Sequence, residues 1–291
     1  MVQLNRTFWE DERIWDAYKD VRGGGVQGRT RLMYAARHVK LKRLRFYLDR
    51  GADVNKGLLK SAYTPLMSAS GRGHMETVRE LCERGANVNA VQTDGITALI
   101  YASQEGQIET ARELCKRGAD VNAARADDGM TALMMASSKG HIEIVRELCE
   151  RGVNVNAAMA DDGVTSLMYA SSKGHIETVR ELCERGADVN AARPDDGMTA
   201  LMITSYKGHI EIVRELCKRG TNVNAARTDN SGTALMAASE KGHLEIVREL
   251  CERGADVKAA RADDSMTALM MASSKGHTEI VRELCKRGAL S

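Results

Sequence analysis

One repeat length accounts for almost all of this sequence. Threonine recurs at intervals of 33 or 34 residues, at Thr30, Thr64, Thr97, Thr131, Thr165, Thr199, Thr233 and Thr267. All seven cysteines and six of the seven histidines recur at the same intervals. A period of this length indicates that each unit is one supersecondary element, and that neighbouring units stack to bury a common core.

Each unit predicts two short helices followed by a turn. In the unit that begins at Thr131, the threonine is the expected N-cap of the first helix, and Gly140 is the expected end of that helix. The second helix, HIEIVRELCERG, has an apolar face formed by Ile142, Val145, Leu148 and Cys149. The segment that follows is rich in Asn, Asp and Gly, which turns require.

The charged residues of the second helix fall outside this apolar face. Glu143 and Arg146 are three residues apart, and Glu147 and Arg151 are four apart. Both spacings place opposite charges side by side on a helix surface, so both pairs should support the helix.

The repeated unit resembles the ankyrin repeat. GHIEIVRELCERGADVNA is similar to the second half of that repeat, and Thr64-Pro65-Leu66-Met67 resembles its TPLH helix start. In most units TPLH has become TALM, and most turns are one residue longer than the family's, as in AARADDG. The resemblance implies an all-α solenoid of stacked helix-turn-helix units with projecting β-turn fingers, in which the shorter inner helices line a concave surface.

The resemblance divides the chain into two regions. Residues 1–27 are predicted to form an N-terminal helix over residues 7–22 that covers the first repeat, followed by a glycine hinge. The ankyrin-repeat domain is predicted to occupy residues 28–291. Its eight tandem repeats lie near residues 28–61, 62–94, 95–128, 129–162, 163–196, 197–230, 231–264 and 265–291.

Composition indicates an ordinary folded chain in a reducing compartment. Aromatic residues make up 4% of its 291 residues, so Leu, Ile, Val, Met and Ala must build the core. No apolar stretch reaches the roughly 18 residues of a membrane span, and charged residues begin too early for a signal peptide. The odd number of cysteines argues against a disulfide framework. We therefore predict a cytoplasmic protein, with a nuclear location as the alternative.

One motif could be mistaken for an active site. His141, Glu143 and Cys149 match the residue types of zinc deaminases and of cysteine hydrolases. In a helix, however, His141 and Cys149 are separated by roughly 12 Å along the axis, too far for a shared metal ion or a thiol–imidazole contact. We interpret the cysteine as a small apolar residue of the core and the glutamate as a surface charge. In the ankyrin family the histidine resembles a residue that hydrogen-bonds the turn backbone.

Other kinds of reactive site have little support in the sequence. The Asp-Asp pairs of the turns, such as Asp127-Asp128, do not form a calcium-binding loop and are expected to be solvated turn residues. No phosphate-binding glycine loop or nucleophile motif is present. The prediction is therefore a non-catalytic protein with no cofactor and no metal site.

The positions that vary within the constant frame are the candidates for binding a partner protein. These are the two residues before the glycine that separates the helices of a unit, and the residue before each recurring Thr. They resemble the concave contact set of ankyrin repeats. We selected Met130, Lys139, Val164, Lys173, Met198, Tyr206, Lys207 and Lys241 from these positions. Tyr206 is the strongest anchor candidate, because an exposed tyrosine offers a large amphipathic contact area.

Two other functions remain open. Residues 28–60 contain ten Lys or Arg and only two Asp, and Arg37, Lys40, Lys42, Arg43 and Arg45 could bind a nucleic acid or an anionic lipid head group. The same charges would also suit the polar outer face of a capping repeat. At the other end, the last unit keeps its apolar residues, so self-association through that edge is a further alternative.

Overall fold

The computed structural model describes residues 31–58 and 60–289, and these residues form eight pairs of antiparallel helices. The first helices of the pairs are α1 (Arg31–Arg37), α3 (Pro65–Ser70), α5 (Ala98–Gln104), α7 (Ala132–Lys139), α9 (Ser166–Lys173), α11 (Ala200–Lys207), α13 (Ala234–Lys241) and α15 (Ala268–Ser274). The second helices are α2 (Leu41–Asp49), α4 (Met75–Glu83), α6 (Ile108–Lys116), α8 (Ile142–Glu150), α10 (Ile176–Glu184), α12 (Ile210–Lys218), α14 (Leu244–Glu252) and α16 (Thr278–Lys286). The predicted N-terminal helix over residues 7–22 and the glycine hinge lie outside the described residues.

The predicted threonine cap and the predicted helix end at Gly140 are confirmed. The Thr131 hydroxyl accepts a hydrogen bond from the Met134 amide at 3.3 Å, and the same cap begins every first helix from α3 to α15. Gly140 ends α7 with a φ of 71°. A glycine adopts this left-handed conformation without the steric cost that a Cβ would impose.

The first helices of the pairs form the more closely packed side of the stack. These helices pack more closely against their counterparts in neighbouring repeats than the second helices do. A stack whose one side is more closely packed bends toward that side. The odd-numbered helices are therefore the inner helices, lining the concave face, and the even-numbered helices are the outer ones.

The buried face of each outer helix differs from the prediction. Ile144, Val145 and Leu148 are at most 1% exposed, whereas Ile142 and Cys149 are only half-buried. The prediction considered one apolar face, but an outer helix packs against both its own inner helix and the neighbouring outer helices. The buried surface is therefore wider and is centred on different residues.

A charged residue is also buried on the outer helices. Glu147 is 8% exposed, and its carboxylate accepts from Arg151 on its own helix and from Arg112 on the preceding outer helix, at 3.1 Å each. The sequence predicts the Glu147–Arg151 pair. It does not predict the burial of Glu147 or its second ion pair, with Arg112. The equivalent ion pairs between repeats are Arg45–Glu80, Arg79–Glu113, Arg146–Glu181, Arg180–Glu215, Arg214–Glu249 and Arg248–Glu283. We call this row of ion pairs the glutamate ladder.

The longer turns form closed fingers. In the finger before α7, the Arg125 amide donates to the Met130 carbonyl at 2.9 Å, and the flanking residues Ala124 and Thr131 form an isolated antiparallel bridge. Gly129 has a φ of 77°, which lets its amide turn back to the Arg125 carbonyl at 3.0 Å. In the shorter finger Gly95 is also left-handed, but its amide donates to Gln92, three residues back, so the additional residue is absorbed by the wider span of this hydrogen bond.

Most neighbouring fingers are joined by backbone hydrogen bonds. The Ala126 amide donates to the Asp94 carbonyl at 3.0 Å, and Ala160, Thr228 and Ala262 make the equivalent bond at 2.9 Å. Pro194 occupies this position in the fifth repeat and has no amide hydrogen, so the bond cannot form there.

Candidate partner-binding surface

The histidine of the apparent active-site motif connects two repeats. The Nε2 atom of His141 lies 3.3 Å from the carbonyl oxygen of Gln104, the last residue of the preceding inner helix. His74, His175, His243 and His277 make the same contact 37 residues back along the chain, at 2.9 to 3.2 Å. The imidazole N–H donates in this arrangement. The histidine therefore binds a backbone carbonyl, as the resemblance implied, but that carbonyl belongs to the end of the preceding inner helix and not to a turn.

All seven cysteines are free thiols. Burial raises the pKa of the Cys149 thiol to about 11, so the thiol is protonated at neutral pH. Cys149 is half-buried and not fully buried as predicted, and among the seven cysteines only Cys115 reaches full burial. Within residues 31–58 and 60–289, no group of three His, Cys, Asp or Glu side chains is positioned to hold a metal ion.

The raised thiol pKa predicts slow alkylation of the folded protein. The pKa is about 11 at Cys82, Cys115, Cys149 and Cys183, compared with an ordinary value of 9.0. The thiolate is the reactive form, so iodoacetamide should modify these four residues about a hundredfold more slowly in the native chain than in urea. Intact-protein mass spectrometry over time would count the modified thiols. Rapid labelling of all seven in the native chain would contradict the prediction.

The Asp-Asp pairs of the fingers hold the turns together. The Asp128 carboxylate accepts from the Met130 amide at 2.9 Å, and Asp127 forms an ion pair with Arg125 at 2.9 Å. Both carboxylates of this pair are thus engaged within their own finger. The prediction of solvated turn residues was therefore incomplete, since Asp128 is half-buried and caps the turn.

The predicted partner-binding residues lie near the two ends of the inner helices. Met130, Val164 and Met198 are half-buried and come just before the threonine caps of α7, α9 and α11. Lys139, Lys173, Lys207 and Lys241 are exposed at the last residue of α7, α9, α11 and α13. A cation at this end of a helix is favoured by the helix dipole as well, so the lysine row has a structural role besides any binding role.

Four of the eight predicted residues come together between the sixth and seventh repeats. Met198, Tyr206 and Lys207 line one cavity of about 430 Å³. The Lys241 ammonium lies 4.4 Å from the centre of the Tyr206 ring, and its interaction with Tyr206 raises the pKa of that lysine. Tyr206 is 44% exposed. Met130, Lys139, Val164 and Lys173 belong to the fourth and fifth repeats and do not line this cavity.

Sequence reasoning missed other residues of the same cavity. Ile203 and Ala237 occupy the fourth position after the threonine cap, where the third, fourth, fifth and eighth repeats have Tyr101, Met135, Tyr169 and Met271. This variation within a constant frame is a usable signal, but the position is not among those selected from the sequence. Arg227 and Arg261 reach the cavity from the fingers, and each pairs with a finger aspartate, Asp229 and Asp263.

The basic residues of the first repeat are partly engaged. Arg45 forms an ion pair with Glu80 at 2.7 Å, and Arg43 also has an interaction partner. Lys40 and Lys42 are exposed. The Arg37 side chain is half-buried, and its carbonyl accepts from His74. The net positive charge available to an anion is therefore smaller than the sequence alone indicated.

Stacked helix pairs, closed fingers and a variable inner surface define an all-α repeat solenoid. Family models for ankyrin repeats match residues 32–125, 123–193 and 191–261, and a single ankyrin repeat matches residues 264–290. The chain belongs to the ankyrin-repeat family. Ankyrin repeats are generally protein–protein interaction modules, and proteins built from them are typically non-catalytic scaffolds.

A search of curated proteins finds no match. In the part of the chain that the structure describes, every helix is too short or too polar to cross a membrane.

Proposed function

We propose that the protein is a non-catalytic scaffold that binds a partner protein through the concave groove and fingers of the solenoid. The observation that carries the proposal is the cluster of Tyr206, Lys207 and Lys241. These side chains are exposed on the concave face of a frame whose other positions scarcely change from repeat to repeat. Large amphipathic side chains that are held in place without being buried are typical of binding hot spots.

The arrangement of charge supports a partner with acidic character. Of the paired positions at the ends of α7, α9 and α11, three are occupied by Lys139, Lys173 and Lys207 and none by an acidic residue. Charges on the rim of an interface mainly change the association rate and its dependence on salt. Binding to the natural partner should therefore weaken as the ionic strength rises.

A pull-down from the native source tests this assignment. Wild type is compared with Tyr206→Ala and with a variant in which Lys139, Lys173 and Lys207 are replaced by Glu. A matched control carries the same charge change on the outer helices, at the exposed residues Lys116, Lys218 and Lys286. Both inner-face variants should lose the partner and the control should retain it. Unchanged recovery with both inner-face variants would remove the groove assignment.

Two alternative functions remain as proposals. Exposed Lys40 and Lys42, with Arg37, Arg43 and Arg45, are the candidates for an anion site, and the absence of binding to any polyanion at low salt would exclude it. Self-association is favoured by Met270, which is 51% exposed although its equivalents Met134, Met168, Met202 and Met236 are at most 3% exposed. Light scattering that shows a strict monomer at high concentration would count against it.

A further inference from the structure

The seventh repeat lacks two large side chains that the repeats around it have. The residue before the threonine cap is Met130, Val164, Met198 or Met266 in the neighbouring repeats and Gly232 in the seventh. The fourth residue after the cap is likewise Ala237. The frame around both positions is unchanged, since Thr233 caps α13 in the usual way at 3.3 Å from the Met236 amide. A frame of constant spacing that loses two side chains must open a space.

That space is the cavity of about 430 Å³, which we call the repeat-seven notch. Its floor is apolar, formed by Met202, Met236 and Met271, which are at most 7% exposed. Ile203 lies on one wall and Tyr206 on the rim. A cavity of this size falls in the range that holds a bulky group, and an apolar floor favours an apolar one.

The inner-helix side of the notch rim favours a negatively charged neighbour. On the finger side, Arg227 pairs with Asp196 and Asp229, and Arg261 pairs with Asp263 and Asp264, so neither arginine leaves an unbalanced positive charge. Lys241 lies 3.9 Å from Glu240 and over the Tyr206 ring. Lys207 is exposed on the same rim and has no carboxylate partner within the described residues. Lys207 continues the row formed by Lys139 and Lys173 along the groove. The surface beside the notch is therefore positively charged on the side of these lysines.

We propose that the repeat-seven notch is the anchor pocket of the groove, and that it takes one large apolar side chain from an acidic segment of the partner protein. The apolar side chain would fill the space that Gly232 and Ala237 leave. Carboxylates beside it in the partner would face Lys207 and the lysine row. This inference rests on the proposed function. It adds the chemical character of the partner segment and identifies the seventh repeat as the one that selects that segment.

Defined peptides make the proposal testable without the natural partner. The probes are short fluorescein-labelled peptides with a central Leu, Phe, Trp or Ala, flanked either by Asp and Glu or by Asn and Gln. Fluorescence anisotropy with the full chain should show that acidic peptides with a large apolar centre bind about tenfold more tightly than those with a central Ala or neutral flanks. Equal affinities across the set, or no binding by any peptide, would overturn the proposal.

One substitution should fill the notch with a side chain that other repeats accommodate at the same position. Ala237→Met introduces the side chain that Met135 and Met271 have at the same position, so the fold should be kept, as thermal unfolding would verify. It should weaken the best peptide by about tenfold, because the anchor can no longer enter. Tyr169→Met places the same side chain at the equivalent position of the fifth repeat and should leave affinity within about twofold. An equal effect of both substitutions, or of neither, would contradict the proposal.

Methionine methyl NMR locates the bound peptide. Peptide titration should shift the methyl signals of Met198, Met202, Met236 and Met271, which line the notch, and leave that of Met134 unchanged. The outcomes also separate this inference from the proposed function. If the Ala237→Met variant still binds the natural partner and the Tyr206→Ala variant does not, the groove assignment stands. The notch is then excluded as the anchor pocket of the groove.

Discussion

Replacing Gly140 with Ala should destabilise the protein by about 2–3 kcal/mol, for two separate reasons. The φ of Gly140 is 71°, a left-handed conformation that costs an alanine about 1–2 kcal/mol. A Cβ at this position would also lie 2.7 Å from the Nδ1 atom of His175. The imidazole would have to move and would lose its hydrogen bond to the Ser138 carbonyl, at a further cost of about 1 kcal/mol.

Gly152 provides the matched control for this prediction. Its φ is 77°, but a Cβ there would have no neighbour within 4 Å. Gly152→Ala should therefore cost only the backbone contribution of about 1–2 kcal/mol. Urea unfolding monitored by circular dichroism would measure both variants. Equal costs would show that the histidine contact between repeats adds no stability.

A double substitution separates the two contributions at Gly140. His175→Ala alone removes the hydrogen bond between repeats and should cost about 1 kcal/mol. In the background of His175→Ala, Gly140→Ala should cost no more than Gly152→Ala does, because the clash has been removed. Additive costs would contradict a direct contact between these residues.

Replacing Glu215 with Ala should cost about 2 kcal/mol, because its carboxylate holds two outer helices together. Glu215 is 7% exposed, accepts from Arg219 at 2.8 Å and lies 3.6 Å from Arg180 of the preceding repeat. The two arginines are partly exposed and can be hydrated again, which keeps the cost below that of a fully buried charge. The control is Glu211→Ala, which removes an exposed ion pair with Arg214 on the same helix and should cost about 0.5 kcal/mol or less.

The contribution of Glu215 should also depend on pH. Its hydrogen bond to Arg219 lowers the pKa of the carboxyl below the ordinary 4.5, and this effect outweighs burial. The stabilisation is therefore complete above the pKa of the unfolded state and is lost as the pH falls through the lower pKa of the folded state. Unfolding measurements between neutral pH and strong acid should show the difference between wild type and Glu215→Gln shrinking toward low pH. A difference that is independent of pH would show that the charge is not what stabilises this position.

Much of the local structure follows from residues close together in the chain. The threonine caps, the glycine helix ends and the pair of Glu143 with Arg146 each depend on residues at most four positions apart or on a single backbone conformation. Interactions this local are readable from spacing and residue type. The family resemblance added the stacking of the units, and the family comparison confirms it.

The roles of residues that face a neighbouring repeat were decided by the tertiary structure. His141 and Glu147 have partners 37 and 35 residues back along the chain, so their roles depend on how closely the repeats stack. Cys149 was predicted to be core and is half-buried, because the outer helix packs against two neighbours and buries Ile144 instead.

The repeat, its two helices, their caps and the row of variable positions can all be read from the residues alone, because each depends on short-range geometry repeated at a constant interval. Which of the variable positions meet depends on how the repeats pack. Tyr206 and Lys241 are 35 residues apart in the chain but in contact, and Gly232 and Ala237 leave a cavity only because the neighbouring inner helices keep their spacing. A cavity is a property of the surrounding packing, so the small residues alone did not predict it.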